Sequence, residues 1–240
     1  MVKAAIALAV VVVVTAAYAA ALPAPFSGSA PGGALPPGWI AQELPRSKPS
    51  RVDLVHDEGV TVLRVRSQGE AGGAVYAMKA PAQAVLRWRW KVDRVVEGAD
   101  MSVRAGDDYA ARVYVFFDVP EETLSWGERA KIRLARLLHG ARLPTAALCY
   151  VWDNRHPPGT TAWNPYTERV RMIVVESGAE RAGRWVAARR DLEADFRAAF
   201  GTQWRGPVPE VTGIAAGNDT DQTGASATAW FGDFVLEGRG

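Results

Sequence analysis

The chain has 240 residues, of which 48% are hydrophobic and 22% are charged, and its formal net charge is +2. This composition is ordinary for a globular protein. Neither the small net charge nor any basic tract suggests a nucleic-acid partner, so we expect none. Cys149 is the single cysteine, which excludes an internal disulfide, and its place in the apolar run 146–152 predicts a buried thiol.

The N-terminus has the features of a secretory signal peptide. Lys3 precedes an apolar run over residues 4–17, and the run ends in the small-residue pattern Ala17-Tyr18-Ala19. A membrane anchor is the alternative, but the run is shorter than the ~20 residues that a spanning helix needs. We therefore expect a signal peptide over residues 1–21 and a periplasmic or secreted protein with no transmembrane span after cleavage.

Residues 22–37 are rich in Pro, Gly, Ala and Ser, which predicts a flexible tether. Residues 38–240 read as one domain, in which short apolar segments alternate with turn residues. This pattern predicts a mainly β protein, a jelly-roll-like antiparallel β-sandwich with one or two short helical insertions. The predicted strands cover residues 51–56, 59–66, 74–79, 84–92, 109–119, 146–152, 169–176, 185–190, 210–217 and 226–236.

Two of these strands differ in their alternation. Over residues 84–92, apolar side chains occupy one face and cationic side chains the other, which predicts one buried and one solvated face. Over residues 109–119 both faces carry apolar residues, so the strand is expected to be central and covered twice. Its second cover is either protein or a ligand, which makes Arg112 and Tyr114 candidate ligand-binding residues.

Two stretches have the period of a helix. Over residues 125–139 an apolar stripe is accompanied by Arg129, Arg133 and Arg136. This helix either docks on an anionic surface or covers a sheet edge. A second helix is predicted over residues 191–200, with Asp191 as its N-cap and Gly201 at its end.

The sequence contains no complete catalytic motif. It has no nucleophile elbow, no zinc-binding helix, no phosphate-binding glycine loop and no Cys/His ligand set. We therefore assign no catalytic residue and favour a protein that is not an enzyme. Asp107 and Asp108, which precede the 109–119 strand, and Asp118 within it leave a carboxylate-based polysaccharide hydrolase or lyase open as an alternative.

Oxygen-bearing side chains follow one another over residues 218–224. Such a loop can wrap a hard cation such as calcium, and Asp233 in the following strand can contribute to the same site. The candidate ligands of a structural Ca²⁺ are therefore Asp219, Asp221 and Asp233. The alternative is a hairpin whose side chains hydrogen-bond to their own backbone.

A long segment over residues 151–167 is dense in aromatic and amide groups. Flat rings and amides suit the recognition of sugars or other polar ligands, although the same rings can also serve to pack the loop onto the domain. The predicted ligand-binding residues are Arg112, Tyr114, Trp152, Asn164 and Tyr166.

Several segments in order along the chain resemble the bacterial domain-of-unknown-function family 3047. They are Leu86-Arg87-Trp88-Arg89-Trp90, residues 107–115, Tyr150-Val151-Trp152, Asn164-Pro165-Tyr166-Thr167 and residues 213–224. The resemblance implies an exported bacterial protein and assigns no activity. A weaker likeness to jelly-roll carbohydrate-binding modules rests on Phe231-Gly232-Asp233-Phe234-Val235, and it implies a structural calcium ion.

These observations favour an exported, non-catalytic binding module that recognises a glycan or another cell-envelope polymer. The first alternative is the hydrolase or lyase that uses Asp107, Asp108 or Asp118. The second is an envelope scaffold that contacts a membrane or a partner protein through the helix containing Arg129 and Arg136.

Overall fold

A computed structural model describes residues 22–44, 47–120 and 145–238. The signal peptide predicted over residues 1–21 and the amphipathic helix predicted over residues 125–139 lie outside this part of the chain. The strands are β1 (Trp39–Glu43), β2 (Arg51–Asp57), β3 (Val60–Gln68), β4 (Ala71–Ala80), β5 (Ala84–Val92), β6 (Tyr109–Phe117), β7 (Ala146–Asp153), β8 (Thr161–Asn164), β9 (Thr167–Ser177), β10 (Val186–Asp191), β11 (Val211–Asp219), β12 (Ser226–Phe231) and β13 (Val235–Gly238). Helix α1 covers Leu192–Phe200, and short 3-10 turns cover Phe26–Gly28 and Arg104–Gly106.

The strands form two sheets that pack face to face, as the predicted β-sandwich requires. A seven-stranded sheet has the order β1-β4-β11-β6-β7-β9-β8, and a six-stranded sheet contains β10-β5-β12-β3-β2 with β13 paired to β5. The pairs are antiparallel except for β7 and β9, which run parallel. After β7 the chain crosses to the edge of the sheet and forms β8 there. It then turns back, and β9 fills the position between β7 and β8, antiparallel to β8 and parallel to β7.

The core lies between the two sheets and is rich in aromatic rings. The alternation in β5 turns Trp88 and Trp90 inward, where Trp88 contacts Tyr150 at 5.4 Å between ring centroids and Trp90 contacts Trp152 at 5.8 Å. Both β5 tryptophans are buried, while Arg87 on the other face is exposed. The predicted buried apolar face is therefore confirmed, whereas the opposite face is only partly solvated, because Arg89 is half-buried and Lys91 is 8% exposed.

Strand β6 is covered on both faces, also as its sequence predicts. Val113, Val115 and Phe117 belong to the core between the sheets. On the opposite face Phe116 packs in a small separate cluster with residues of the neighbouring strands. Apart from the half-buried Tyr114, every residue of the strand is buried.

Helix α1 begins and ends where the sequence predicts. The Asp191 side chain accepts a hydrogen bond from the Ala194 backbone N–H at 3.0 Å, and the helix ends at Gly201. One face is anchored by Asp195, which accepts hydrogen bonds from the Tyr150 hydroxyl and from Arg190 Nε, both at 2.8 Å. The helix is thus held against β7 and β10 by polar contacts.

Two strands are missing from the sequence-based prediction, and one predicted strand is divided. β1 and β8 are short edge strands, and all but one residue of each is exposed or half-buried, so neither shows the alternation of a strand with one buried face. The strand predicted over residues 226–236 is β12 and β13, which are separated at Gly232. There a side chain is excluded, because a Cβ on Gly232 would lie 2.6 Å from Arg89 Cγ.

The segment 22–37, for which composition predicts a flexible tether, lies against the sandwich in this structure. Phe26 is fully buried and its ring centroid lies 4.8 Å from that of Trp39. Ser27 donates hydrogen bonds from its N–H and its hydroxyl to Asp233, and Trp39 Nε1 donates to the Ala24 carbonyl at 2.9 Å. A single buried ring in a Pro/Gly-rich segment produces no periodic pattern, so the composition gives no indication of these contacts.

Within residues 22–44, 47–120 and 145–238, none of the helices has the length and apolar character needed to cross a bilayer.

Candidate ligand-binding site

The outer face of the seven-stranded sheet, turned away from the six-stranded sheet, contains an open depression that we call the outer cleft. Its cavity volume is about 50 Å³, and the depression is partly open to solvent. Strands β4 and β11 form its floor, β6 forms one wall, and β1 lies at the other side. Its lining includes Gln42, Leu44, Gly73, Arg112, Tyr114, Ala215, Gly217 and Asp219.

Glycine residues of β4 and β11 form part of the floor of the outer cleft. A Cβ on Gly217 would lie 2.2 Å from the Gly72 carbonyl oxygen, and a Cβ on Gly73 would lie 2.1 Å from the Ala216 carbonyl oxygen. Neither position accepts a side chain unless β4 and β11 move apart. The close approach of these strands therefore requires glycine, and it places backbone atoms instead of side chains at these two positions of the cleft floor.

Arg112 is the central polar residue of the outer cleft. It is 2% exposed, and β6 places it on the same face as Tyr114, two residues further on. One guanidinium nitrogen donates to the Tyr114 hydroxyl at 3.1 Å, and the other donates to Asp107 Oδ1 at 3.2 Å and to the Asp107 carbonyl. Asp219 Oδ2 lies 3.6 Å from the second nitrogen. Arg112 Nε has no acceptor among the described residues.

Asp107 connects Arg112 to the β8–β9 hairpin. Its Oδ2 accepts a hydrogen bond from Asn164 Nδ2 at 2.8 Å, and Asn164 Oδ1 accepts one from the Tyr166 N–H at 3.0 Å. The Tyr166 hydroxyl donates to the Arg104 carbonyl at 3.1 Å. The structure therefore brings four of the predicted ligand residues, Arg112, Tyr114, Asn164 and Tyr166, into one network.

Trp152, the fifth predicted ligand residue, lies elsewhere. It is 1% exposed and faces the six-stranded sheet, where its Nε1 donates to the Gly178 carbonyl at 3.0 Å. The alternation along β7 explains this position, because Leu148, Tyr150 and Trp152 all face the core while Cys149 faces the outer side. In this structure no ligand in the outer cleft can contact the Trp152 ring.

Three carboxylates meet beside the outer cleft. Oxygen atoms of Asp108, Asp219 and Asp221 all lie within 4.8 Å of one another. Asp108 accepts hydrogen bonds from the Thr223 N–H and hydroxyl, both at 2.6 Å. Asp221 Oδ1 is buried without a donor among the described residues, whereas its Oδ2 accepts from the Ser47 hydroxyl. Burial raises the pKa of Asp219 well above its usual range, although Arg112 opposes this effect.

This cluster contains two of the three residues predicted as calcium ligands. Asp219 and Asp221 are present, but Asp233 is bound to Ser27 instead, and Asp108 takes the third place. Asp108 is brought there by the pairing of β6 with β11, which aligns Tyr109 with Asp219. Sequence gives no indication of this pairing, because the two strands are about a hundred residues apart.

The residues considered for catalysis are poorly placed to react with a polymer. Asp107 and Asp108 are 2% and 0% exposed and accept hydrogen bonds from protein donors, and Asp118 is exposed beyond the end of β6. Burial raises the pKa of the Cys149 thiol to about 12, so it is protonated at neutral pH. As predicted, this cysteine is buried.

Solved structures with a similar arrangement include three glucan-degrading enzymes. The endo-1,4-β-glucanase CelB2 is 12% identical, with 85% of this chain and 94% of that chain covered and a TM-score of 0.48. The xyloglucanase domain of NopAA, a type three effector from Sinorhizobium fredii in complex with cellobiose, is 9% identical, with 84% and 94% covered and a TM-score of 0.44. Endoglucanase Cel12A from Rhodothermus marinus is 9% identical, with 83% and 91% covered and a TM-score of 0.43.

At these identities and TM-scores, the activity of this chain has to be argued from its own residues. No curated protein matches the chain in sequence. One protein family does match, over residues 37–235, and it is described as "Protein of unknown function (DUF3047)". Because this match covers most of the chain, the protein belongs to the DUF3047 family.

Proposed function

We propose that this chain is an exported, non-catalytic binding protein that holds a glycan or another cell-envelope polymer in the outer cleft. The observation that supports it best is the combination of a backbone floor with Arg112 and Tyr114 on one wall. Sugar recognition requires an aromatic surface for the ring and oriented polar groups for the hydroxyls, and this wall offers both.

Each wall residue has a role in this proposal. The Tyr114 ring is half-buried and lies parallel to Phe116, with 5.9 Å between centroids and 11° between planes, so its orientation is set before a ligand arrives. Arg112 is almost fully buried, so its role is to hold the Tyr114 hydroxyl in place through the hydrogen bond from its guanidinium group. Asp219 provides an acceptor for a sugar hydroxyl at the end of the cleft.

Replacing Tyr114 by alanine is expected to weaken glycan binding about tenfold, because loss of an aromatic stacking partner costs on the order of 1 kcal/mol. Tyr114→Phe serves as the matched control, since it keeps the ring and removes the hydroxyl, and it should lose less affinity. Isothermal titration of the mature protein against neutral and acidic polysaccharides measures both effects. Equal affinities for wild type and Tyr114→Ala with every bound glycan would remove Tyr114 from the site.

The alternative function, a polysaccharide hydrolase or lyase, has less support from the geometry. Its candidate residues Asp107 and Asp108 are buried and already accept protein hydrogen bonds. The two functions are separated by incubating the protein with each bound polysaccharide and analysing the solution by chromatography. The binding proposal predicts that no oligosaccharide accumulates with time. The scaffold function predicted for the helix around Arg129 and Arg136 involves residues outside the described part of the chain.

We also propose that Asp108, Asp219 and Asp221 hold a structural Ca²⁺. Carboxylate oxygens are the ligands that calcium prefers, and three of them lie within 4.8 Å of one another here. The buried Asp221 Oδ1, which lacks a donor among the described residues, supports the proposal because a cation would compensate for it.

Calcium is expected to stabilise the wild-type protein by about 2.7 kcal/mol at a hundredfold excess over its dissociation constant, measured as a shift in thermal unfolding at constant pH. Asp221→Asn should abolish this stabilisation. Asp233→Asn is the matched control, because Asp233 binds Ser27 and lies outside the cluster, and it should retain the full calcium response. A response lost in Asp233→Asn and kept in Asp221→Asn would place calcium elsewhere.

Export is part of the same proposal and rests on the N-terminal sequence. When the full chain is expressed in a bacterium with its own N-terminus, we expect it in the periplasm or the medium, without residues 1–21. Cell fractionation followed by mass spectrometry of the N-terminal peptide tests this expectation. An intact chain retained in the membrane fraction would contradict it.

A further inference from the structure

The outer face of the six-stranded sheet carries cations and tryptophans, on the opposite side of the molecule from the outer cleft. The alternation in β5 turns Arg87, Arg89 and Lys91 outward, because Trp88 and Trp90 face the core. Across β12, Trp230 is aligned with Lys91 on one side and with Arg64 of β3 on the other. We call this surface the cationic face.

Two half-buried tryptophans lie on the cationic face with a lysine between them. The Lys91 ammonium is 4.9 Å from the Trp230 ring centroid and 5.1 Å from that of Trp185, which directly precedes β10. The Arg89 guanidinium lies 4.5 Å from the Trp185 centroid. Aromatic rings flanked by cations on a sheet surface are the combination that binding surfaces favour.

Asp57 holds this arrangement in place. It accepts hydrogen bonds from Lys91 Nζ at 2.6 Å and from Trp185 Nε1 at 2.9 Å. Burial alone would raise the pKa of Asp57, but the hydrogen bonds from Lys91 and Trp185 outweigh burial and lower it. The ion pair and the Trp185 ring are therefore positioned before any partner binds, which reduces the entropy lost on binding.

The charges on this face are not balanced among themselves. Within the described part of the chain, neither Arg89 nor the exposed Arg189 forms an ion pair, although Arg64 and Arg66 share Asp53. Among the described residues, the face carries three carboxylates, which pair with cations of the same face, and the cations are more numerous: Asp53, Asp57 and Glu237 against Arg64, Arg66, Arg87, Arg89, Lys91 and Arg189. The face therefore attracts anions.

We infer that the cationic face binds an acidic polysaccharide, with sugar rings on Trp185 and Trp230 and sugar carboxylates paired to Arg89 and its cationic neighbours. Stacking accounts for the tryptophans, and carboxylate pairing accounts for the guanidinium groups of Arg89 and Arg189, which form no ion pair among the described residues. A neutral glycan would leave the cations unused. This surface lies on the other sheet from the outer cleft, so it can be tested independently of the function proposed above.

Titration with polygalacturonate, compared with neutral dextran, tests the inference on the mature wild-type protein. We expect saturable binding of polygalacturonate that weakens with salt, and about a tenfold loss of affinity in Arg89→Gln and in Trp230→Ala. Arg205→Gln, which removes one exposed charge in the loop after α1, should bind like wild type. Thermal unfolding of each variant verifies its fold, and Arg89→Gln keeps the test valid if Trp230→Ala is unstable.

Four results would overturn the inference. Equal losses in Arg89→Gln and Arg205→Gln would mean that only net charge matters. A loss in Tyr114→Ala without one in Arg89→Gln would place the acidic polymer in the outer cleft. Tighter binding to vesicles containing phosphatidylglycerol than to polygalacturonate would identify a membrane as the partner. Absence of saturable binding to polygalacturonate would equally contradict it.

Discussion

Replacing Arg112 by methionine is expected to lower the free energy of unfolding by about 3–5 kcal/mol. The substitution keeps the length of the side chain but removes the cation between Asp107 and Asp219, whose carboxylates lie 3.2 Å and 3.6 Å from the guanidinium nitrogen. Both aspartates are more than nine-tenths buried, so they would lose their compensating charge without gaining access to water. Chemical denaturation at neutral pH measures the loss.

Arg155→Met is the matched control for this prediction. Its guanidinium side chain is 50% exposed and lies 3.7 Å from Asp100, so its loss should cost no more than about 1 kcal/mol. Adding Asp107→Asn to Arg112→Met should recover part of the stability, because the carboxylate that has lost its guanidinium partner is removed with it. If Arg112→Met were no more costly than Arg155→Met, Arg112 would not be the buried, charge-compensating residue described above.

Replacing Trp152 by alanine is expected to lower the free energy of unfolding by about 3–5 kcal/mol, because it leaves a cavity in the aromatic core. Trp152 is 1% exposed, contacts Trp90 and donates a hydrogen bond to the Gly178 carbonyl. Thermal or chemical denaturation measures the loss. This expectation differs from a role in ligand stacking, which would reduce affinity and leave stability largely intact.

Trp152→Phe separates these two roles, since it keeps an aromatic ring in the core and the protein folded. We expect this variant to bind glycans with wild-type affinity, in contrast to Tyr114→Ala. A selective loss of glycan affinity in a stably folded Trp152→Phe variant would return Trp152 to the binding site.

The interior of the fold could be predicted from the sequence because its strands alternate clearly. β5 and β6 are found where their patterns place them, and α1 carries both its N-cap and its terminating glycine. The edge strands β1 and β8 could not, because a strand with one neighbour and little buried surface has no strict alternation to recognise. The contacts of Phe26 with Trp39 were hidden for a related reason, as they join residues without any local pattern.

The candidate site was predictable only where local pattern was sufficient. Arg112 and Tyr114 followed from a strand with two apolar faces, and Asn164 and Tyr166 from an amide-rich segment that the structure connects to them. The side of β7 that Trp152 occupies depends on which face of the seven-stranded sheet meets the core. The place of Asp108 beside Asp219 depends on the pairing of β6 with β11. Neither is determined by residues close in sequence.

The most direct test of the outer cleft as a glycan site is an NMR titration. The mature protein is titrated with a glycan that it binds, and the backbone amide signals are followed. We predict that the largest shifts occur at Gly73, Ala215 and Gly217 on the floor of the cleft, and at Tyr114 beside it. Saturating shifts confined to other surfaces, with these amides unchanged, would contradict the proposed site.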